Sequence, residues 1–182
     1  MSKSELLANE LDKTEVLELQ DRIDNNSKLI NNLTNKLVAD YCKGLDELVY
    51  SLDIIVKDFK HPPTNDMLDY YVVNLPIQLY FSGEAQENLG IKVDVAKAIK
   101  QEKYNEIYRE VSGTIADKTA ESELASQSEE ITRIIYDRAY KIVKEKMEAA
   151  SKLLDSVKKV MSRRMTEMQL SKVDDGRFVN GR

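Results

Sequence analysis

The stretch from about Lys118 to Leu170 contains no Gly and no Pro, so nothing in it obliges a helix to stop. Ile131, Ile135, Ala139 and Ile142, then Ala150, Leu153, Val157, Met161 and Met168, keep a regular apolar beat. The steps are 4, 4, 3 from Ile131 to Ile142 and again from Leu153 to Arg164. This eleven-residue repeat holds one face of a nearly straight helix in line. At about 1.5 Å per residue such a helix spans roughly 75–80 Å. That length exceeds the interior of one small globule, so the stripe calls for partner helices. Ile131, Ile135, Ile142, Leu153, Val157 and Met161 are the residues expected to hold copies of the chain together. Lys146 and Arg164 interrupt the beat. Either both snorkel, burying stems and exposing heads, or the face opens there onto an anionic partner or a polar lumen.

The rest of the chain is also read as helix. Residues 1–60 carry apolar positions from Leu11 to Phe59, with steps of 3, 4, 3, 4 from Leu45 that form a heptad-like seam. Asn25 to Ser27 is a point where this helix could break, and His61-Pro62-Pro63 ends it. Thr64 to Asp66 offers a cap for the next helix. A kink or short break is expected at Pro76, and further loosening at Ser82-Gly83. Ser112-Gly113-Thr114 closes this element, and Thr114 can cap the helix after it. The expected fold is all-α: long amphipathic helices forming coiled-coil-like hairpins that assemble into an oligomer. Its parts are an N-terminal helix over 1–60, a helical core over 64–170 and a flexible tail over 171–182.

Composition sets the function classes. With 6 Gly, 3 Pro, no Trp and 32% charged residues, long helices are favoured over sheet. No apolar run approaches the ~18 residues of a membrane span, the N-terminus lacks the apolar core of a signal peptide, and Cys42 is a lone cysteine. A cytoplasmic protein is expected, without membrane association. No phosphate loop, dinucleotide fingerprint or nucleophile elbow is present. One His and one Cys cannot build a tetrahedral zinc site within one chain. Neither metal nor cofactor is expected, and no enzyme activity. His61 reads as an exposed linker residue and Cys42 as a small core residue.

The net charge of −5 is unevenly spread. Residues 1–60 carry 8 basic and 12 acidic side chains, residues 61–137 carry 7 and 14, and residues 138–182 carry 12 and 6. The basic end is the clearest electrostatic signal. Arg138, Lys141, Lys152, Lys159 and Arg163 fall along one stripe, with Lys144, Lys158 and Arg164 nearby and Tyr136 and Tyr140 midway. A second group on the middle helix comprises Lys92, Lys97, Lys100, Lys103 and Arg109, with Tyr104 and Tyr108. Cations that track a phosphate backbone, with aromatic faces for bases, suit sequence-independent single-strand binding. A salt-bridged solvent face is the competing reading, because Glu145, Glu148 and Asp155 lie near the same stripe.

The segments Tyr70–Glu121 and Arg138–Met168 resemble phage recombination mediators of the UvsY type. The likeness is carried by a Lys- and Tyr-rich helix closed by a Gly-containing turn, then Ala116-Asp117-Lys118, then a long helix ending in Ser162-Arg163-Arg164. It covers about residues 65–170; residues 1–60 have no counterpart in it. The resemblance implies a small helical protein that forms a closed ring, binds single-stranded DNA and helps a recombinase load onto strands covered by single-strand binding protein. Lys97, Lys100 and Lys103 would match the basic run before the family's Gly turn. The DNA-contacting set is then Lys97, Lys100, Lys103, Lys141, Lys152, Lys158, Lys159, Arg163 and Arg164, in the host cytoplasm if the chain is phage-encoded. The alternative expectation is a structural or adaptor coiled-coil protein, such as a phage assembly factor or an inhibitor of a host protein, with no nucleic-acid binding.

Overall fold

The computed structural model describes the backbone of residues 3–179 and the side chains of residues 16–171. The described residues form four helices: α1 (Lys3–Lys57), α2 (Asn65–Glu110), α3 (Ile115–Ala125) and α4 (Gln127–Val179). Among the described residues there is no strand, and no helix is long and apolar enough to cross a membrane. The fold is all-α.

The helix ends obey local chemistry. After α1, the Asp58 carboxylate accepts the backbone N–H groups of Lys60 and His61 at 3.0 and 3.2 Å. The His61 ring lies 3.0 Å away, and its hydrogen bond holds the Asp58 carboxyl below the usual carboxylate range. Pro62 and Pro63 then cannot continue a helix. At the start of α2, the Thr64 hydroxyl accepts the Met67 N–H at 3.3 Å. Before α3, Gly113 takes φ +144°, a conformation open to a residue without Cβ. Thr114 and Asp117 then form a reciprocal capping box, with the Asp117 carboxyl lowered chiefly by the Thr114 hydroxyl.

Four expectations about continuity need correction. α1 passes Asn25–Ser27 without a break, since three weak helix formers cost only tenths of a kcal/mol each. α2 likewise runs through Pro76, Gly83 and Gly90 as one helix, so of the kink or break expected at Pro76 the break is absent. Pro76 is exposed, so its ring meets solvent, while Leu75 beside it is fully buried and anchors the turn by packing. The stretch from Lys118 to Leu170, by contrast, is interrupted at one residue, Ser126. Ser122 and Ser126, one turn apart, are both fully buried. Their hydroxyls donate to the carbonyls of Lys118 and Ser122 at 2.7 and 2.8 Å. Such back-bonding competes with the backbone ladder and is a recognised way to disturb a helix. Finally, α4 runs to Val179, into the segment read as a tail.

The chain divides into two compact units. The second, Val38–Leu89 with Tyr140–Arg182, holds the clearest core. Leu45 and Leu52 of α1, Leu68, Tyr71 and Leu75 of α2, and Ala150, Leu154 and Val157 of α4 form one buried cluster. On α2 and α4 these residues recur every three or four positions and on α1 they stand seven apart, so each helix buries a single face. The Tyr71 hydroxyl lies 3.1 Å from the Ser51 hydroxyl, which itself donates to the Leu48 carbonyl. Cys42 is fully buried; burial pushes its thiol up. At Gly44 a Cβ would meet only the amide end of the Gln78 side chain, which would have to move aside.

The first unit, Met1–Leu37 with Gly90–Ala139, is held more by polar contacts. Lys100 pairs with Glu130 at 3.0 Å, and Arg138 donates to the Asn31 side chain at 3.1 Å. Lys92 and Lys118 lie over the rings of Tyr136 and Tyr108, at 5.6 and 5.8 Å from the centroids. Ala96, Ile135 and Ala139 are buried in it, but Ile91, Val95 and Ile99 are about half exposed.

Candidate nucleic-acid interface

α4 turns Val143, Ala150, Leu154 and Val157 inward. At about 100° per residue, Lys141, Lys152, Lys159 and Arg163 lie on the far side of the helix, and all four are exposed. Lys144 lies to one side of that line and Lys158 nearer the buried face, about 40° from Leu154; both are exposed. Lys144, Lys152, Lys158 and Lys159 form no ion pair with any described residue. Arg163 meets Glu167 only at 3.5 Å, with both side chains well exposed, so that pair adds little. Glu145, Glu148 and Asp155 share the upstream part of this side. Downstream come Lys158, Lys159 and Arg163, with no carboxylate until Glu167. Lys159 and Arg163 are one turn, about 6 Å, apart along the axis. This end of α4 is the densest cluster of available cations in the second unit.

The remaining predicted cations fare differently. Arg164 donates to the Pro63 carbonyl at 2.6 Å and to the Asn65 side chain at 3.3 Å. It clamps the start of α2 instead of meeting solvent. Lys146, the other interruption of the beat, reaches both carboxylate oxygens of Asp46 at 2.6 Å. Neither opens onto an outside partner; each finds an acceptor on its own chain.

In the first unit Lys97 is exposed, while Lys100 and Lys103 are engaged by Glu130 and Glu106. The carboxyl of Glu130 is pulled down to about 2, first by hydrogen bonds from Arg133 and then by Lys100. Glu106 holds the Lys103 ammonium above its ordinary range. The tyrosines read as base platforms are occupied too. Tyr104 and Tyr108 stack on each other at 6.0 Å, and Tyr136 lies under Lys92.

The oligomer residues predicted on α4 are likewise taken up within the chain. Val157 belongs to the core cluster, Leu153 and Met161 pack against it, and Ile135 is buried. Ile131 and Ile142 are half-buried. The length of the α4 stripe therefore does not by itself demand copies, because α1 and α2 cover it in the second unit.

A different row stays exposed there. Met67, Tyr70, Val73, Ile77, Tyr80 and Phe81 line the outer side of α2, near Asp66, Asp69, Glu84 and Glu87. Tyr80 is hydrogen-bonded to Glu84, which raises its hydroxyl. The three- and four-residue spacing from Met67 to Tyr80 was legible in the sequence; what hid the row is that α2 has two apolar faces and only one is covered.

No family model matches the chain, and no curated protein or solved structure does either. The likeness to recombination mediators therefore stands on the residues quoted for it.

Proposed function

We propose that this protein is a non-enzymatic accessory factor that binds single-stranded DNA through the C-terminal part of α4. The observation that carries the reading is the set Lys152, Lys158, Lys159 and Arg163: all exposed, with Lys152, Lys159 and Arg163 opposite the core and Arg163 alone in a weak ion pair. Cations already held by carboxylates gain little from a phosphate. Free ones gain by releasing the counterions condensed on it. Two or three such contacts per chain are weak, and an oligomer multiplies them along one strand. Recruitment of a recombinase to strands covered by single-strand binding protein, and closure into a ring in a host cytoplasm, rest on the resemblance alone.

The test is fluorescence anisotropy of a labelled oligonucleotide across a salt series. Binding at low salt should weaken as salt rises. Lys158→Glu, Lys159→Glu and Arg163→Glu together should flatten the log–log slope by about 2, at ~0.7 per lost phosphate contact. These side chains are exposed, so helicity should be unchanged. No salt-sensitive binding at low ionic strength ends this reading.

The second reading, an adaptor without nucleic acid, is favoured by the row from Met67 to Phe81. Its flanking carboxylates repel phosphate and suit a protein helix with basic flanks. Under this reading the charge reversals on α4 leave function intact, whereas Ile77→Asp abolishes it.

A further inference from the structure

Between Asp66 and Glu87 the outer side of α2 carries an apolar row bracketed by acids. Met67, Tyr70, Val73, Ile77, Tyr80 and Phe81 are 45–66% exposed. Asp66 and Asp69 stand at one end of the row, Glu84 and Glu87 at the other, and all four are exposed. Asp66 and Glu84 are 18 positions apart, as are Asp69 and Glu87. Eighteen residues make five whole turns, so the two acidic pairs face the same way, about 27 Å apart. On the helical wheel Asp66 and Glu84 fall inside the apolar arc, and Asp69 and Glu87 at its edge. None of the four is in an ion pair with a described residue. Arg164, at the start of α2, is held by Pro63 and Asn65 instead. Residues 61–91 contain no Lys or Arg, so this stretch of α2 presents one sign of charge along its whole length.

We propose that this row binds an amphipathic helix of a different protein, apolar along about five turns and bearing Lys or Arg at both ends. Charge complementarity selects that occupant. A cation at each end meets carboxylates that have no partner, and the apolar middle covers the row between them. The rings of Tyr70, Tyr80 and Phe81 add faces on which cationic side chains rest. Nucleic acid and anionic lipid carry the wrong sign for this surface. The exposed apolar rows elsewhere on the chain do not supply the counterpart. Val16, Leu19 and Ile23 on α1 lie among Glu18, Asp21 and Asp24, against Arg22 alone, and Tyr50 and Ile54 lie among Glu47, Asp53 and Asp58, against Lys57. Acid would then face acid. Ile91 to Ile99 on α2 and Met165 to Leu170 on α4 span little more than two turns at most, too short to reach from one acidic pair to the other.

This inference rests on the adaptor reading, which it deepens, and makes no use of the α4 cations. Its probe is a labelled amphipathic peptide of about 25 residues, with leucines at three- and four-residue spacing and a Lys pair at each end, the pairs about five turns apart. Anisotropy with the full-length chain should show binding that weakens with salt, and a counterpart with Glu at both ends should not bind. Glu84→Lys with Glu87→Lys should weaken the Lys-ended peptide about tenfold or more, and a peptide with Lys at one end and Glu at the other should recover the loss. Ile77→Asp should abolish binding with helicity retained. No binding of the Lys-ended peptide, equal binding of the Glu-ended one, or no recovery by the mixed peptide overturns the proposal. So does a wild type that scatters light as a multiple of its 20.8 kDa mass and returns to one chain in Ile77→Asp, because a second copy then covers the row. The adaptor reading falls on a different result: Ile77→Asp loses the peptide but leaves function intact.

Discussion

Lys146 interrupts the apolar beat of α4, and its ammonium reaches both oxygens of Asp46 at 2.6 Å. The setting of this pair decides how strongly it couples α4 to α1. The side chains are 35% and 46% exposed, too wet for the large penalties of breaking a buried pair. Solvent screening places the coupling nearer the upper end of exposed pairs, about 1 kcal/mol. Asp46→Ala should therefore cost about 1 kcal/mol by leaving Lys146 without its acceptor. Lys146→Met loses the same pair but continues the apolar stripe, and the two effects should nearly cancel. A double-mutant cycle by urea denaturation, followed by helical circular dichroism, isolates the pairwise term. It should give about 1 kcal/mol at low salt and clearly less at 1 M salt, where the Debye length falls to about 3 Å. A coupling near zero at low salt would mean the ammonium sits in water, as in the snorkelling alternative. A coupling above about 3 kcal/mol, unmoved by salt, would mean a dry interface, and the reasoning from exposure would be wrong.

Gly113→Ala should destabilise the α2–α3 junction by about 1 kcal/mol or more, because φ +144° is unfavourable for a residue with a Cβ and the Asp117 side chain already lies 3.1 Å from where that carbon would be; thermal denaturation reads it. Glu130 gives a pH signature. Its folded-state value is lowered from 4.5 to about 2, so its contribution is fully present above about pH 4.5 and is lost as pH falls through about 2. Glu130→Gln should lower stability at pH 7 and flatten the acid limb of the first unit in that window; an unchanged limb would show that Arg133 and Lys100 do not hold the carboxylate.

Features decided within a few residues were readable in the sequence. His61-Pro62-Pro63 ends α1, Ser112-Gly113-Thr114 separates α2 from α3, and Cys42 is a core residue because its neighbours at helical spacing are. The break at Ser126 was missed because no Gly or Pro marks it; the signal was Ser122 and Ser126 one turn apart, which matters only once both are buried. Pro76 misled in the opposite direction, since packing around Leu75 outweighs a missing N–H. The fate of the cations was the least legible. Lys103 and Glu106, three apart, could have been paired on paper. Lys100 meets a carboxylate 30 positions away and Lys146 one 100 positions away, and no helical-wheel arithmetic reaches that far. Conversely Lys144 and Glu148, four apart, form no pair.

The same distinction applies to the apolar stripes. Stripe length was the wrong criterion. The face of α4 is the longest, but where it bears Leu153, Val157 and Met161 the helices of its own chain cover it, so no driving force is left for association. The seam of α1 is shorter, yet Val16, Leu19 and Ile23 remain exposed, and burial of such side chains is worth about 1.5–3 kcal/mol each when complete. Since they are only partly exposed to begin with, the gain per layer is a fraction of that, and several layers acting together are needed to offset the entropy of association. Val16, Leu19 and Ile23 supply three such positions; Asn26 and Ile30, next along the row, are already half-buried within the chain. The Lys158, Lys159 and Arg163 cluster keeps its attraction for phosphate whether or not copies associate, so the salt dependence of a single chain tests it directly.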